Sequence, residues 1–476
     1  MSNEHLSDWK RKETLAEAMI PLIGKLYREQ GIVLNIYGRK IVRESAIGIL
    51  KAHRYARQIT DEELLPGQSY PVLEALSKLE LAPARVDLGK LTTRYLSQSG
   101  LPLDSFLKEQ LASILTSKSN LLAEPQDVVL YGFGRIGRLL TRILIDRTGG
   151  GEKLRLRGIV VRPGAQNDLQ KRASLLRRDS VHGMFNGTIQ IDEAENAIIA
   201  NGNVIKLIYA SSPDTIDYTH YAINNAIVID NTGKWRDETG LSLHLQSKGV
   251  SKVILTAPGK ATLKNIVYGV NHEMISPDDA LISAASCTTN AITPVLKVMH
   301  EKYRIESGHI ETIHSYTNDQ NLIDNYHKND RRGRSAPLNM VITETGAAKA
   351  VAKALPELAG LLTGNAIRVP TPNVSLAILT LNLAEEISKE TVNQFLRQIS
   401  LESPLRDQID FTTSTEIVSS DLVGSSRTGI IDANATISQE KRCTLYVWYD
   451  NEAGYSYQVV RVLQHMAGLY YPSLPV

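Results

Sequence analysis

The stretch "DVVLYGFGRIGRLLTRIL", residues 127–144, decides how the chain is read. Apolar residues run through Tyr131 as in a buried strand, a glycine turn follows, and apolar residues then recur at three- and four-residue spacing, as on one helix face. The turn itself, Gly132-Phe133-Gly134-Arg135-Ile136-Gly137, has the form G-x-G-x-x-G. Its first glycine permits a tight turn, its second lets a pyrophosphate approach the backbone, and its third lets the helix pack closely on the strand. The helix N-terminus adds N–H donors and the positive end of its dipole. With a strand before it and a helix after it, the turn is expected to bind a dinucleotide.

Working outward, the strand-like runs "LRGIVV" (156–161), "NAIVID" (225–230) and "KVILTA" (252–257) alternate with helical or turn-rich pieces. That alternation predicts a parallel sheet with crossover helices. From Thr312 on, longer β-rich runs appear, "LAILTLNLAE" (376–385), "TGIIDANATISQ" (428–439) and "CTLYVWYD" (443–450). They predict an α+β domain with a more antiparallel sheet, closed by a helix over "GYSYQVVRVLQHMAGLY" (454–470). Upstream, residues 1–125 read as helical, with Pro71 suited to a first helical turn and Asp104 to an N-cap. That region holds no chemical constellation and reads as a packed helical appendage.

A chain of 476 residues predicts two or three domains. A net charge of +2 gives no global field toward nucleic acid or an anionic membrane, so primary nucleic-acid binding is not expected. No 18-residue apolar run is present, and the N-terminus lacks an apolar signal core. The two cysteines, Cys287 and Cys443, are 156 residues apart and fit neither a disulfide framework nor a zinc spacing. No metal site and a reducing, cytoplasmic location are the expectation.

The strand after a dinucleotide turn ordinarily ends in an acidic residue for the adenosine ribose 2′-OH. Here "LRGIVV" ends at Arg162-Pro163-Gly164, and Asp168 comes six residues after Arg162. An arginine there suits a 2′-phosphate, so NADP as well as NAD is a candidate cofactor.

Cys287 sits in "ISAASCTTNAITPVL" (282–296), with small residues before it, polar residues after it, and a helical pattern starting just beyond. A helix N-terminus favours thiolate and lowers the thiol pKa. A second polar island, "ETIHSYTNDQ" (311–320), places His314 among β-formers. A histidine beside a cysteine activates it and shuttles its proton.

The motifs "YGFGRIGR", "DSVHGMFNG", "YGVNHEM", "ASCTTN", "HSYTNDQ", "TGAAKAV", "LPELAG", "RVPTPNVS" and "YDNEAGYS" occur in this order. In that order they resemble the phosphorylating glyceraldehyde-3-phosphate dehydrogenases over roughly residues 127 to 476. The resemblance implies an α/β Rossmann-type cofactor domain over 126–286, completed by a C-terminal helix over 452–476. It further implies an α+β catalytic domain over 287–451, preceded by a mostly α-helical N-terminal extension over 1–125. Cys287 takes the place of the nucleophile and His314 that of the base. Thr317, Asp319 and Arg368 resemble the set that holds the substrate phosphate. Ser286, Thr288, Arg332, Thr345 and Gly346 resemble the set for inorganic phosphate. Thr232 and Gly233 of "NTGKW" match a cofactor-side turn, and Asn451 resembles the residue that orients the nicotinamide amide. A homotetramer is the family's usual assembly. The sequence departs from the family at "VVRPG", at Asn325 and Tyr326, and at Ala453 where a tryptophan is common, and its N-terminal extension has no counterpart in the ordinary enzyme. Oxidation of another phosphosugar aldehyde such as erythrose 4-phosphate, and a redox-sensing or scaffold role, stand as alternatives.

Overall fold

The structure, a computed structural model, describes residues 2–60, 62–98, 100–115, 124–147, 153–164, 166–343 and 345–475. Two compact units emerge. The first comprises Met1–Pro125, Arg147–Lys153 and Gly468–Val476, and the second comprises Gln126–Asp146 and Leu154–Ala467.

The first unit is helical, as the spacing predicts, but it is built around a small sheet that the sequence did not announce. Helices α1 (Ser2–Gln30), α2 (Ala46–Tyr55), α3 (Pro66–Leu76), α4 (Leu88–Ser97) and α5 (Leu103–Gln110) accompany strands β1 (Val33–Ile36), β2 (Arg39–Lys40) and β3 (Arg85–Asp87). Helix α3 starts at Pro66, where a missing N–H costs nothing, so Pro71 lies inside the helix rather than at its start. Pro102 is the N-cap of α5 and Asp104 falls in its first turn, where a carboxylate meets the positive end of the dipole. Thr116 and Ser117, which the same helical pattern covers, lie outside the described residues.

The fourth strand of this sheet is Ser473–Leu474, which pairs in parallel with β3. Arg85 N–H donates to Pro472 O at 2.8 Å. Leu474 joins the core formed by Met19, Ile23, Leu34, Ile36 and Phe106. The closing helix is therefore shorter than expected: it spans Ala453–Met466, not 452–476. Gly468, at φ +74, turns the chain out of the helical path. Cutting a buried leucine to alanine forfeits apolar contact and leaves a cavity. Leu474→Ala is expected to destabilise the first unit by about 2 kcal/mol. Limited proteolysis should show faster cleavage within residues 1–125 while the second unit stays protected.

The second unit begins with β4 (Gln126–Tyr131), the glycine turn, α6 (Arg135–Arg147) and β5 (Leu154–Val161). Strands β6 (Ile189–Asp192), β7 (Ala197–Ala200), β8 (Asn203–Tyr209), β9 (Ala226–Asp230), β10 (Val250–Leu255) and β11 (Leu281–Ser283) complete one sheet. Among the described residues its order is β11-β10-β9-β4-β5-β8-β7-β6, parallel except for the outer β6, β7 and β8 pairings. Strand β4 lies between β5 and β9, so the chain's crossovers diverge there and leave a crevice at the strands' carboxyl ends. Its residues Asp127–Tyr131 are all buried, which is why the segment reads as a continuous apolar run.

Helix α7 (Cys287–Tyr303) leads into the second sheet. Its strands are β12 (Ile305–Ser315), β13 (Val341–Thr343), β14 (Leu362–Val369), β15 (Ser375–Leu383), β16 (Ile409–Thr412), β17 (Gly429–Asp432), β18 (Ile437–Gln439) and β19 (Arg442–Tyr449). The order is β13-β14-β12-β15-β19-β17-β16, with β18 beside β19. The sheet is mixed: β12 runs parallel to β14 and antiparallel to β15. Helices α7 and α8 (Ala347–Ala354) pack on it, through Ile292, Val295, Leu296 and Val351 among others. No helix of the described residues is long and apolar enough to cross a membrane.

Candidate active site

Ser286 is the N-cap of α7, in extended conformation, and its Oγ accepts the Thr289 N–H at 3.1 Å. Cys287 is thus the first residue of the helix. Just ahead, Ala285 is held at φ +56, a left-handed conformation that a side chain disfavours. Two bonds hold it there: Ala285 N–H donates to Ser283 Oγ at 3.0 Å, and the Tyr455 hydroxyl donates to Ala285 O at 3.1 Å. Strain of this kind gathers where the surroundings fix a geometry for function.

Half-buried Cys287 places its Sγ 3.5 Å from His314 Nε2. His314, buried at the end of β12, places Nδ1 2.7 Å from Ser315 O. A proton on Nδ1 leaves the Nε2 lone pair facing sulfur, whereas Arg368 Nη1, which can only donate, lies 2.5 Å from the same Nδ1 and favours the opposite tautomer. The parallel register sets His314 beside Arg368 of β14. Arg368 donates to Ser315 O at 3.1 Å and also lies against the imidazole. Burial, with Arg368 second, pushes the His314 pKa down to about 3. Burial also pushes the Cys287 thiol up, against the pull of Arg368 and Thr288. The expected lowering by the helix N-terminus is outweighed, because the sulfur is removed from water. Both directions favour a neutral thiol–imidazole pair in the ligand-free chain.

Anion donors surround this pair unevenly. Thr288, buried, shares a 3.0 Å hydrogen bond with the Tyr449 hydroxyl. Asp319 and Arg332 form an ion pair with each other, and both contribute to the field at Arg368. Thr317 closes the turn before them, its carbonyl accepting Gln320 N–H at 3.0 Å. Gly346 is the N-cap of α8, and a Cβ there would meet nothing within 4 Å. Thr345 Oγ1 accepts the Ala347 N–H at 3.1 Å. His314 touches both Cys287 and Arg368, whereas Thr317 and the Thr345–Gly346 turn carry no direct bond to these three among the described residues.

The glycine turn meets each demand read from its sequence. Gly132 stands at φ +102, a Cβ on Gly134 would project into open space, and one on Gly137 would strike Gly132 O at 2.4 Å. The open space at Gly134, facing the unbonded first-turn N–H groups of α6, fits a pyrophosphate. Phe133 is buried and Ile136 half-buried. The Arg135 side chain is engaged by Glu452 and Asp179. Across the turn, Gly233 sits at φ +63 and Thr232 bonds Asp230 Oδ1 through both its N–H and its hydroxyl, each at 2.7 Å. Arg162 is exposed at the end of β5 and its guanidinium has no carboxylate partner among the described residues. The nearby Asp168 is bound by Arg172 at 2.7 Å.

The two halves of the site meet through residues that the sequence did not single out. Ser375 Oγ donates to Asn451 Oδ1 at 2.8 Å and accepts the Ser315 N–H at 3.1 Å. Asn451 is thereby strung to the residue next to His314. The neighbour Glu452 reaches Arg135 at the glycine turn. Ser315, Ser375, Asp179, His182 and Glu452 lie within the recurring motifs, but only tertiary contact gives them a partner. Among the described residues no group of three or more His, Cys, Asp or Glu is placed to hold a metal ion.

Comparison with known proteins agrees with this anatomy. Residues 126–238 match the NAD binding domain of glyceraldehyde 3-phosphate dehydrogenase, and residues 286–451 match its C-terminal domain. The chain is 59% identical over 460 residues to a glyceraldehyde-3-phosphate dehydrogenase-like protein of Pseudomonas aeruginosa (strain UCBPP-PA14), covering 96% of this chain and 100% of that one. It is 38% identical over 346 residues to glyceraldehyde-3-phosphate dehydrogenase of Borreliella burgdorferi, covering 71% of this chain and 99% of that one. A glyceraldehyde-3-phosphate dehydrogenase of Pseudomonas aeruginosa (strain PAO1) is 40% identical over 329 residues, 69% of this chain and 94% of that one. The N-terminal extension is thus shared with the first of these proteins.

Proposed function

Since this chain belongs to the glyceraldehyde-3-phosphate dehydrogenase family and is an oxidoreductase using NAD or NADP, we propose that it oxidises glyceraldehyde 3-phosphate to an acyl phosphate through a Cys287 thioester. The observation that carries this reading is the 3.5 Å approach of Cys287 Sγ to His314 Nε2. As sulfur adds to the aldehyde carbon, Nε2 takes the thiol proton. With that proton, the imidazolium protonates the developing alkoxide to give a thiohemiacetal and is neutral again. A dinucleotide held by the glycine turn and by Asn451 would supply the hydride acceptor. His314 takes the thiohemiacetal hydroxyl proton as the C–H bond is lost, leaving the thioester. Inorganic phosphate then attacks the acyl carbon, and sulfur departs, which oxygen in its place would do far less readily. Arg368 and Thr317 supply donors for the substrate phosphate, and Asp319, which can only accept, acts through its ion pair with Arg332. Ser286, Thr288, Arg332, Thr345 and Gly346 support binding of the attacking one.

The test is a single turnover without phosphate. One equivalent of reduced cofactor per chain should form in a burst, and Cys287 should gain the mass of a 3-phosphoglyceryl group. A burst whose acyl group sits on another residue contradicts the assignment. Running erythrose 4-phosphate in parallel measures how far the substrate range extends.

Cofactor choice follows from Arg162. An exposed guanidinium with no carboxylate partner at the strand end favours the 2′-phosphate of NADP. Loss of one charge-assisted contact is worth about tenfold in affinity. Arg162→Ala is expected to weaken NADP binding by about that factor and to leave NAD within about twofold. Calorimetry reads both, and an equal effect on the two cofactors contradicts the role.

The segment after His314 exposes Leu322, Ile323, Tyr326, Leu338 and Met340, each more than 70% accessible. So many large apolar side chains on one loop region favour burial against further copies of this chain, in keeping with a homotetramer. Light scattering should give a four-chain mass, and a monomer at micromolar concentration contradicts it.

A further inference from the structure

The ion-pair cluster between the glycine turn and the start of α9 (Ala453–Met466) has a geometry that the proposed chemistry does not use. Arg135 Nε donates to Glu452 Oε1 at 2.8 Å, and its Nη2 donates to Glu452 Oε2 at 2.5 Å. The pairing is a two-pronged fork, which fixes direction as well as distance. The remaining Arg135 nitrogen meets Asp179, whose Oδ1 accepts N–H groups from Val181 and His182 at 3.0 and 2.9 Å. His182 Nε2 lies 3.0 Å from Glu452 Oε2, and Arg138 stands 3.9 Å from Asp179. The carboxylates are largely shielded, with Asp179 and Glu452 side chains 6% and 14% exposed.

Each end of this cluster is bolted to a different part of the site. Arg135 is the first residue of α6, directly after the open cradle at Gly134. Glu452 follows Asn451, and its own N–H donates to Asp450 Oδ1 at 2.9 Å, as does that of Ala453 at 2.8 Å. Asp450 in turn accepts Gly424 N–H at 2.8 Å. On its other side Asn451 is held by Ser375. The segment around Asn451 is therefore tied on one side through Ser375 and Asp450 and on the other through the fork to Arg135.

We propose that Glu452 is a positioning residue, whose fork to Arg135 sets the distance between the pyrophosphate cradle and the Asn451 amide. This rests on the reading of the glycine turn and Asn451 as the two ends of one dinucleotide site. A ligand that spans both ends feels the spacing, and a ligand that fills only the cradle does not.

The experiment compares two ligands by calorimetry on the full chain: the preferred dinucleotide, and its ADP-ribose fragment, which lacks nicotinamide (2′-phosphorylated if NADP is preferred). Glu452→Ala is expected to weaken the dinucleotide by about tenfold or more while the fragment stays within about twofold. Glu452→Gln retains a hydrogen-bonding partner for Arg135 and should lose less. If Glu452→Ala does not fold, Arg135→Lys, which keeps the charge but not the fork, should reproduce the same split. Equal weakening of both ligands, or no weakening of either, overturns the proposal. Failure of the wild-type chain to bind either ligand overturns instead the site reading beneath it.

Discussion

Cys287→Ser is expected to retain less than about one ten-thousandth of the wild-type phosphate-dependent turnover, the scale at which removal of a nucleophile acts. The substitution is nearly isosteric at the first residue of a capped helix, so the fold should persist. The chemistry should not. A neutral imidazole that gains a proton only near pH 3 is a weak base for a hydroxyl. An ester formed at serine oxygen would also release its acyl group to phosphate much more slowly than a thioester. Initial rates, read with the thermal unfolding midpoint, separate loss of chemistry from loss of structure. A serine variant with normal stability and more than a tenth of wild-type activity contradicts the assigned nucleophile.

The second large effect is at His314. His314→Gln, which keeps a polar side chain of similar reach, is expected to lower turnover by about 100- to 10,000-fold, the range of a positioned acid–base group. The pH behaviour follows with a definite sign. Burial and Arg368 hold the folded pKa of His314 near 3, below its ordinary value of about 6.5. The unfolded chain thus binds the proton more readily than the folded one. The stability contributed by the neutral imidazole is fully present above about pH 6.5 and is lost as pH falls toward 3. The glutamine variant should lose this acid dependence. Meanwhile the Cys287 thiol is raised by burial. In the ligand-free chain its alkylation by iodoacetamide should keep rising with pH past the ordinary thiol value of about 8.5. An inflection near pH 6.5 in the alkylation rate would show His314 ionising there and contradict the neutral pair.

Local features were legible in the sequence and nonlocal ones were not. The glycine turn was readable because each glycine answers a demand set within six residues, and its flanking strand and helix carry their own periodicity. Cys287 at a helix start was readable for the same reason, since Ser286 and the polar residues after it form the cap. That His314 reaches it was not: the approach depends on α7, on β12 and on the register with β14. The direction of the Cys287 pKa was misjudged because helix position is a sequence property and burial is a tertiary one.

The first unit's sheet escaped notice because its strands run two to four residues and one of them, Ser473–Leu474, arrives from the far end of the chain. Glu452 and Arg135 stand 317 residues apart, and nothing in either local sequence names the other. Arg162 is a departure legible at the strand end from the sequence alone, and the structure adds that its side chain is exposed.

The most direct measurement is the initial rate of nicotinamide reduction with glyceraldehyde 3-phosphate, with and without inorganic phosphate, using NAD and NADP in parallel. Steady turnover is expected only when phosphate is present, falling without it to a burst of one equivalent per chain. Steady turnover that is indifferent to phosphate would contradict transfer of the acyl group from the Cys287 thioester to phosphate.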